Sequence, residues 1–369
     1  MVNISRIETT QRIVEAIKKV GPRNCAEIAR LTNIPERTVR EKVKRQLEKK
    51  GILVRVNVDL AKLGLTQLWV TLKFNEEVEE VATRVLRALS KVGYLTYHAK
   101  ILPNNYYVAL FAVPRELKDR YSELFESLLE LKIIKRFKLH ELSWLIRPSM
   151  RTEYYNFDMN EWLIDWGEIE RSSIRLYNPV GDTPIVNIDK IDLALLSKLQ
   201  INATLSLREI AKALNLNPKT LGYHMREHLL RKGVITGYNI IWFGPPTGPT
   251  RKWILNLIIE MDHLEANEVN DVRVVFNKIP FLYSEAYSYD GFYGTQIFLP
   301  AIHYTDLISY LSKNLRTQAD RLSIGFVDRS DARGYTIPYE MFKDGKWFYN
   351  VDETIELFKR LAIELKLKE

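Results

Sequence analysis

The sequence predicts an α+β protein made by tandem duplication, each copy a winged helix-turn-helix followed by a ferredoxin-like β-α-β-β-α-β domain. Three observations carry this expectation. The stretch "EIARLTNIPERTVREKVKRQLEKKGIL" (27–53) lies over "EIAKALNLNPKTLGYHMREHLLRKGVI" (209–235) without a gap at an offset of 182, with 8 of 27 positions identical. Similarity continues downstream at offsets of 184 to 186: Trp69 falls opposite Trp253, Pro114 opposite Pro300, and "FDMNEW" (157–162) opposite "FKDGKW" (342–347), in a chain of 369 residues. In both copies the hydrophobic period then changes from helical to strand-like at corresponding places.

The second copy shows the head most plainly. In "IDKIDLALLSKL", Ile188, Ile191, Leu195, Leu196 and Leu199 form one apolar helical stripe. The short helix "SLREIAKAL" and a tight "NLN" turn follow. Asn217 then supplies an N-cap and Pro218 a first-turn residue for a third helix. Leu221, Met225 and Leu229, four apart, face the core until Gly233 stops the helix, and "VITGYNI" reads as a wing strand. The first copy repeats the plan with Val39, Val43 and Leu47 inward, Gly51 as the stop and "ILVRVNV" as the wing. The two heads span 1–65 and 185–246.

After each wing comes a strand-helix-strand-strand-helix-strand pattern, bounded at 66–150 in the first copy and 251–334 in the second. An antiparallel sheet with helices on one face leaves the other face bare. The two copies are therefore expected to cover each other as an intramolecular pseudo-dimer, and two chains to form a homodimer. An aromatic segment closes each unit, "YYNFDMNEWLIDW" (154–166) and "YEMFKDGKWFYN" (339–350). Asp158, Asp344 and Gly345 mark hairpin turns, and aromatics at this density read as packing surfaces. The first segment and the linker, with Pro179, Gly181 and Pro184, occupy 151–184. The second, with the amphipathic helix "VDETIELFKRLAIELKLKE", occupies 335–369.

Charge divides unevenly along the chain. Residues 1–65 carry 15 basic and 7 acidic side chains and residues 185–244 carry 8 and 4, so the two heads hold +12 and the remainder −4. A local cationic excess is the footprint of a polyanion, which makes double-stranded DNA the expected partner. One cysteine, Cys25, excludes an intramolecular disulfide framework and suits a reducing interior. No long apolar run or secretion signal appears, so the expected location is cytoplasmic and nucleoid-associated, with no membrane partner.

In a winged helix-turn-helix the third helix enters the major groove and the wing lies along the backbone. With the core stripe removed, the first copy offers Arg37, Thr38, Arg40, Glu41 and Lys44, with Arg55 of the wing as a phosphate contact. The second offers Lys219, Thr220, Gly222, Tyr223 and Arg226, and His224 is expected to meet solvent or a phosphate. Arginine forks onto guanine O6 and N7, while lysine neutralises phosphates. "HMREH" (224–228) also spells the H-x-x-E-H pattern of a class of zinc peptidases. The first copy has Lys42 to Gln46 there, and no third ligand or cleft is suggested nearby, so no metal is assigned.

Residues 188–238 resemble the DNA-binding domain of the Lrp/AsnC regulators, with paired aspartates (Asp189, Asp192), Leu199-Gln200 and a closing Gly-Val-Ile-Thr-Gly-Tyr. The first copy keeps "EIA" and ends in "VNVDLAKLGL", also like that family. The resemblance implies a sequence-specific transcriptional regulator, here in tandem form. Family members turn between the middle strands through Gly-Asp-x-Asp, whereas these turns read "PNNYY" and "YDGFYG". A small-molecule effector is left open, with no residues assigned to it. The tandem plan also resembles fused siroheme decarboxylases, which hold a tetrapyrrole in a histidine-lined pocket of the ferredoxin-like half. His98 is the candidate there, with Ala286 or Tyr287 at the corresponding place in the second copy. A nonspecific chromatin-coating protein is the remaining alternative. No phosphate loop, nucleophile elbow or cysteine cluster is present, so the expectation is a regulator without enzymatic activity or cofactor.

Overall fold

In a computed structural model, which describes residues 4–157, 159, 161–176, 183–242 and 254–365, the same succession of elements appears twice. The first head is α1 (Ile4–Val20), α2 (Cys25–Thr32) and a third helix in three pieces: α3 (Glu36–Glu41), a π turn (Lys42–Gln46) and α4 (Leu47–Lys49). Strand β1 (Ile52–Val58) follows. The first ferredoxin-like half is β2 (Leu65–Phe74), α5 (Ala82–Val92), β3 (Leu95–Leu102), β4 (Tyr106–Pro114), α6 (Arg120–Glu130) and β5 (Ile134–Leu142). Then come β6 (Trp144–Ile146), the hairpin β7 (Tyr155–Asn156) and β8 (Glu161–Trp162), and α7 (Trp166–Arg171).

The second head is α8 (Lys190–Ile201), α9 (Leu207–Leu214), α10 (Pro218–Tyr223), a π turn (His224–Leu230) and β9 (Ile235–Trp242). Its ferredoxin-like half is β10 (Ile254–Met261), α11 (Val269–Lys278), β11 (Leu282–Tyr287), β12 (Tyr293–Pro300), α12 (Tyr304–Leu315) and β13 (Leu322–Val327). Strand β14 (Arg333–Gly334), the hairpin β15 (Phe342–Lys343) and β16 (Lys346–Trp347), and α13 (Val351–Glu364) end the described chain.

Local chemistry sets the heads. Asp189 and Asp192 form a capping box on α8, Ser206 and Glu209 form another on α9, and the Asn217 side chain accepts from the Lys219 amide to start α10. Asn33 and Asn215 take the left-handed conformation at the same turn of each copy, a conformation asparagine tolerates better than most residues. Gly51 and Gly233, at φ 73° and 66°, end the two third helices.

The wings depart from expectation. β1 and β9 pair antiparallel with each other, from Ile52 opposite Trp242 to Val58 opposite Ile235. Each strand has a bare backbone edge, and the other copy satisfies it. The ribbon buries Ile52, Val54 and Val56 with Ile240 and Ile241 in one core that both heads share. Arg23 of the first head adds a bond across, its guanidinium donating to the carbonyls of Ala203 and Leu205 at 3.0 and 3.2 Å.

The ferredoxin-like strands lie in the orders β5-β2-β4-β3 and β13-β10-β12-β11, as the sequence pattern requires. β13 then pairs with β3, β6 with β11, and β14 with β3, so the extension of each copy's last strand completes the other copy's edge. Exposed sheet edges invite aggregation, and this exchange covers the edges of β3 and β11. Gly325 permits the β13–β3 junction, because a Cβ there would stand 2.1 Å from Ile101 Cγ2. Between the sheets, Trp69, Ala99, Val108 and Leu110 pack with Ile258, Ala286, Phe292 and Val327.

The aromatic segments are exchanged too. The first is divided: Tyr155 and Phe157 join the core of the first copy and the heads, while Trp162 and Trp166 lie on the second copy, 4.7 Å from Phe281 and 5.4 Å from Tyr310. The second lies on the first copy: Trp347 Nε1 donates to the Leu63 carbonyl at 2.6 Å, Tyr349 packs on Tyr121, and α13 runs along α6. Asp344 and Gly345 both take positive φ in its turn. Pro184 belongs to the strap that leads to α8, which is pinned where the Val186 amide donates to the Lys62 carbonyl. Asp158, Pro179, Gly181 and Trp253 lie outside the described residues. Among the described residues no helix is long and apolar enough to cross a membrane.

Candidate nucleic-acid interface

The first third helix turns Val39, Val43 and Leu47 into the core, each at most 3% exposed. That leaves Arg37, Arg40, Glu41 and Lys44 exposed, with Thr38 half-buried between them. Arg40 meets Glu36 one turn back, with both side chains about half in solvent (57% and 46%), so the pair is weak and the guanidinium can leave it. Arg45 is also exposed and was missed by the sequence reading. The π turn's i→i+5 bonding resets the helical phase after Glu41, which ideal helical spacing does not anticipate.

On the second third helix, Leu221, Met225 and Leu229 are buried as expected, and Lys219, Thr220, Tyr223 and Arg226 are exposed. Gly222 is buried rather than presented outward. His224 corrects the sequence reading. It is 6% exposed, and its Nδ1 lies 2.8 Å from Oδ1 of Asp192 on α8, a side chain with no exposure at all. A buried carboxylate must be paired, and the two histidines do this. His228 Nδ1 lies 3.0 Å from the other Asp192 oxygen. His224 therefore leaves the DNA-facing set.

Glu227 accepts from Arg231 at 3.0 Å on the helix exterior, so "HMREH" does not have the peptidase arrangement. The expectation of no further ligand nearby is also corrected. Asp189, Asp192, His224 and His228 each place a ligand atom within 4.8 Å of the others, a set able to hold a cation. The sequence hid this because the aspartates lie 32 to 39 residues upstream on another helix.

Arg55 is the other correction. It sits opposite Asn239 in the ribbon that joins the heads, and its Nε is sealed from solvent without a hydrogen-bond partner. Cys25 is buried, and burial pushes its thiol pKa up, as suits an unreactive core residue.

His98 is fully buried and lies opposite Ala109 in the β3–β4 ladder, so it shares the helix-covered face of the sheet. Neither ring nitrogen has a hydrogen-bond partner, Tyr335 packs 5.8 Å away, and burial depresses its pKa against the opposing pull of Asp331. Ala286 lies between the two sheets, and Tyr287 packs on Trp144. These residues are not brought into one pocket with His98.

The space between the sheets holds a polar cluster. Glu260 of the second copy accepts from Trp69 Nε1 at 2.7 Å and Thr71 Oγ1 at 2.9 Å of the first copy, and Tyr106 donates at 3.2 Å. Burial raises the Glu260 pKa against the pull of those three donors.

Residues 188–223 match the AsnC-type helix-turn-helix domain. A search of curated protein sequences gave no match. Among solved structures, the siroheme decarboxylase NirDL is similar over 97% of this chain and 99% of its own, at 12% identity and a TM-score of 0.55. Its complex with an iron-uroporphyrin III analogue aligns over 96% and 98%, at 13% identity and a TM-score of 0.53. AsnC of E. coli aligns over 38% of this chain and 93% of its own, at 19% identity and a TM-score of 0.27.

Identities this low establish the shared α+β fold alone. They nevertheless overturn the expectation that this architecture means no enzyme, because a protein with the same plan from end to end is one.

Proposed function

We propose that the chain is a sequence-specific double-stranded DNA-binding regulator whose two unlike third helices read two unlike half-sites. One observation carries the reading. Each third helix buries its apolar stripe and leaves a cationic face outward: Arg37, Arg40, Lys44 and Arg45 in one head, Lys219 and Arg226 in the other. Among the described residues none of Arg37, Lys44, Lys219 and Arg226 stands in an ion pair. The shared core and the β1–β9 ribbon hold the heads together, so the second binding event is intramolecular and gains avidity without new contacts. No effector is assigned, and association of two chains through further surfaces belongs to the proposal.

The test is a genome-wide binding map from purified protein, with anisotropy titrations of labelled duplexes. Discrete asymmetric sites support regulation, while a flat profile indicates nonspecific coating. Unchanged anisotropy at low ionic strength would sink DNA binding altogether.

A second reading, a tetrapyrrole enzyme of the siroheme decarboxylase kind, is favoured by the end-to-end likeness to NirDL and by the partnerless nitrogens of His98. Against it stand the position of His98 on the helix-covered face and the filled space between the sheets. A Soret shift on mixing with siroheme that disappears in His98→Ala would move the assignment to this reading.

A further inference from the structure

We propose that Asp192, His224 and His228, joined by Asp189, bind one divalent transition-metal ion of the zinc class within the second head. This does not rest on the DNA reading and stands equally if the chain is an enzyme. The two imidazoles, one helical turn apart, both turn Nδ1 toward the same carboxylate, and Asp189 Oδ1 lies 3.6 Å from His224 Nδ1. The four donor atoms lie within 4.8 Å of one another, with close contacts of 2.8 to 3.6 Å, so small side-chain shifts bring them to the edge of a zinc tetrahedron, about 3.3–3.6 Å for bonds of about 2.0–2.2 Å.

Charge argues the same way. Two carboxylates converge with two imidazoles that carry no charge when neutral, and one carboxylate is wholly buried. A divalent ion compensates both. Imidazole nitrogen with carboxylate oxygen is a donor set for zinc, cobalt or nickel rather than calcium or magnesium. The site is not sealed: the Asp189 side chain is half-exposed and that of His228 is 22% exposed.

The first copy serves as an internal control. It has the same π turn, but Thr10 stands where the second copy has Asp192, and Lys42 and Gln46 stand where it has the histidines. There the Lys42 ammonium itself meets Thr10 Oγ1 at 3.2 Å. The backbone frame is common to both heads, and the ligand set belongs to one.

The experiment uses the full chain, tag-free and stripped with chelator, titrated with Co²⁺ and then Zn²⁺. The expected result is one Co²⁺ per chain with the visible d–d absorption of a low-coordinate site, displaced by Zn²⁺. His224→Gln and His228→Gln should each weaken binding by at least about tenfold, while His263→Gln, at an exposed position between β10 and α11, leaves it unchanged. An aqua-ion spectrum throughout, or undiminished binding in the double His224→Gln/His228→Gln chain, overturns the proposal and leaves a metal-free Asp–His cluster. Should the variants unfold, X-ray absorption of Zn²⁺-loaded wild type decides: two imidazole scatterers support the site and none refutes it.

Discussion

Replacing Glu260 separates what its charge does from what its oxygens do. The carboxylate joins the two copies by accepting from Trp69, Thr71 and Tyr106. In Glu260→Ala the indole N–H of Trp69, a residue 1% exposed, keeps no acceptor, which costs about 1–3 kcal/mol. Thr71 and Tyr106 are part-exposed and recover some bonding from water, so the total loss should be about 2–4 kcal/mol.

Glu260→Gln keeps a carbonyl oxygen for Trp69 and Thr71 and removes the buried charge. Burial raises the folded pKa above the ordinary 4.5, so the folded state holds this proton more tightly than the unfolded one. Its contribution to stability is therefore fully present below 4.5 and declines as pH rises through the raised value. Glutamine mimics the protonated form at every pH. It should match wild type in acid and equal or exceed it at neutral pH. Urea denaturation of the three chains from pH 4 to 8 measures this. The reasoning fails if glutamine is as damaging as alanine at pH 7, or if alanine costs nothing.

Two further outcomes are expected. Arg37→Ala should relax base preference by about 1–3 kcal/mol in competition binding if its guanidinium forks onto guanine, whereas Lys44→Ala should weaken all sequences alike and lower the salt slope by about one unit. Glu268, held at a pKa of about 2 by Arg321 and by the amide of Glu265, is a depressed carboxylate, so its contribution is present above 4.5 and lost as pH falls toward 2. Glu268→Gln should cost about 1 kcal/mol at pH 7, because the side chains keep 27% and 21% of their surface in water and the pair is partly screened, and the difference from wild type should vanish in acid melts.

The legible parts of the fold are those decided by neighbours in sequence. The cap at Asn217, the stops at Gly51 and Gly233, and the core stripe of Leu221, Met225 and Leu229 each depend on residues within two turns. The outward cations follow by subtraction from that stripe. His224 and Arg55 failed for one shared reason: each is held by a distant segment, His224 by Asp192 and Arg55 by the ribbon strand that carries Asn239. A hydrophobic period says which face of a helix is buried. It does not say that a buried acid waits on another helix to draw a polar residue inward.

Finding a repeat likewise does not say which copy completes which. That choice follows from chain reach. Only Ser143 separates β5 from β6, so β6 cannot fold back beside β5 and must run on, its neighbour Ser143 bonding the Tyr287 carbonyl of the other copy at 2.8 Å. In the other copy β14 reaches β3 across residues 328–332, which turn on the Asp328 carbonyl. Two separate identical chains could make this exchange too, but they would have to carry the same residues in both heads. Fusing the copies lifts that requirement. Asp192, His224 and His228 can then occupy one head while Thr10, Lys42 and Gln46 occupy the other, and Arg37 and Arg40 can face outward on one third helix while Thr220 and Tyr223 do so on its twin. The pseudo-symmetric frame needs both copies to fold, and the covalent link lets each keep a different surface.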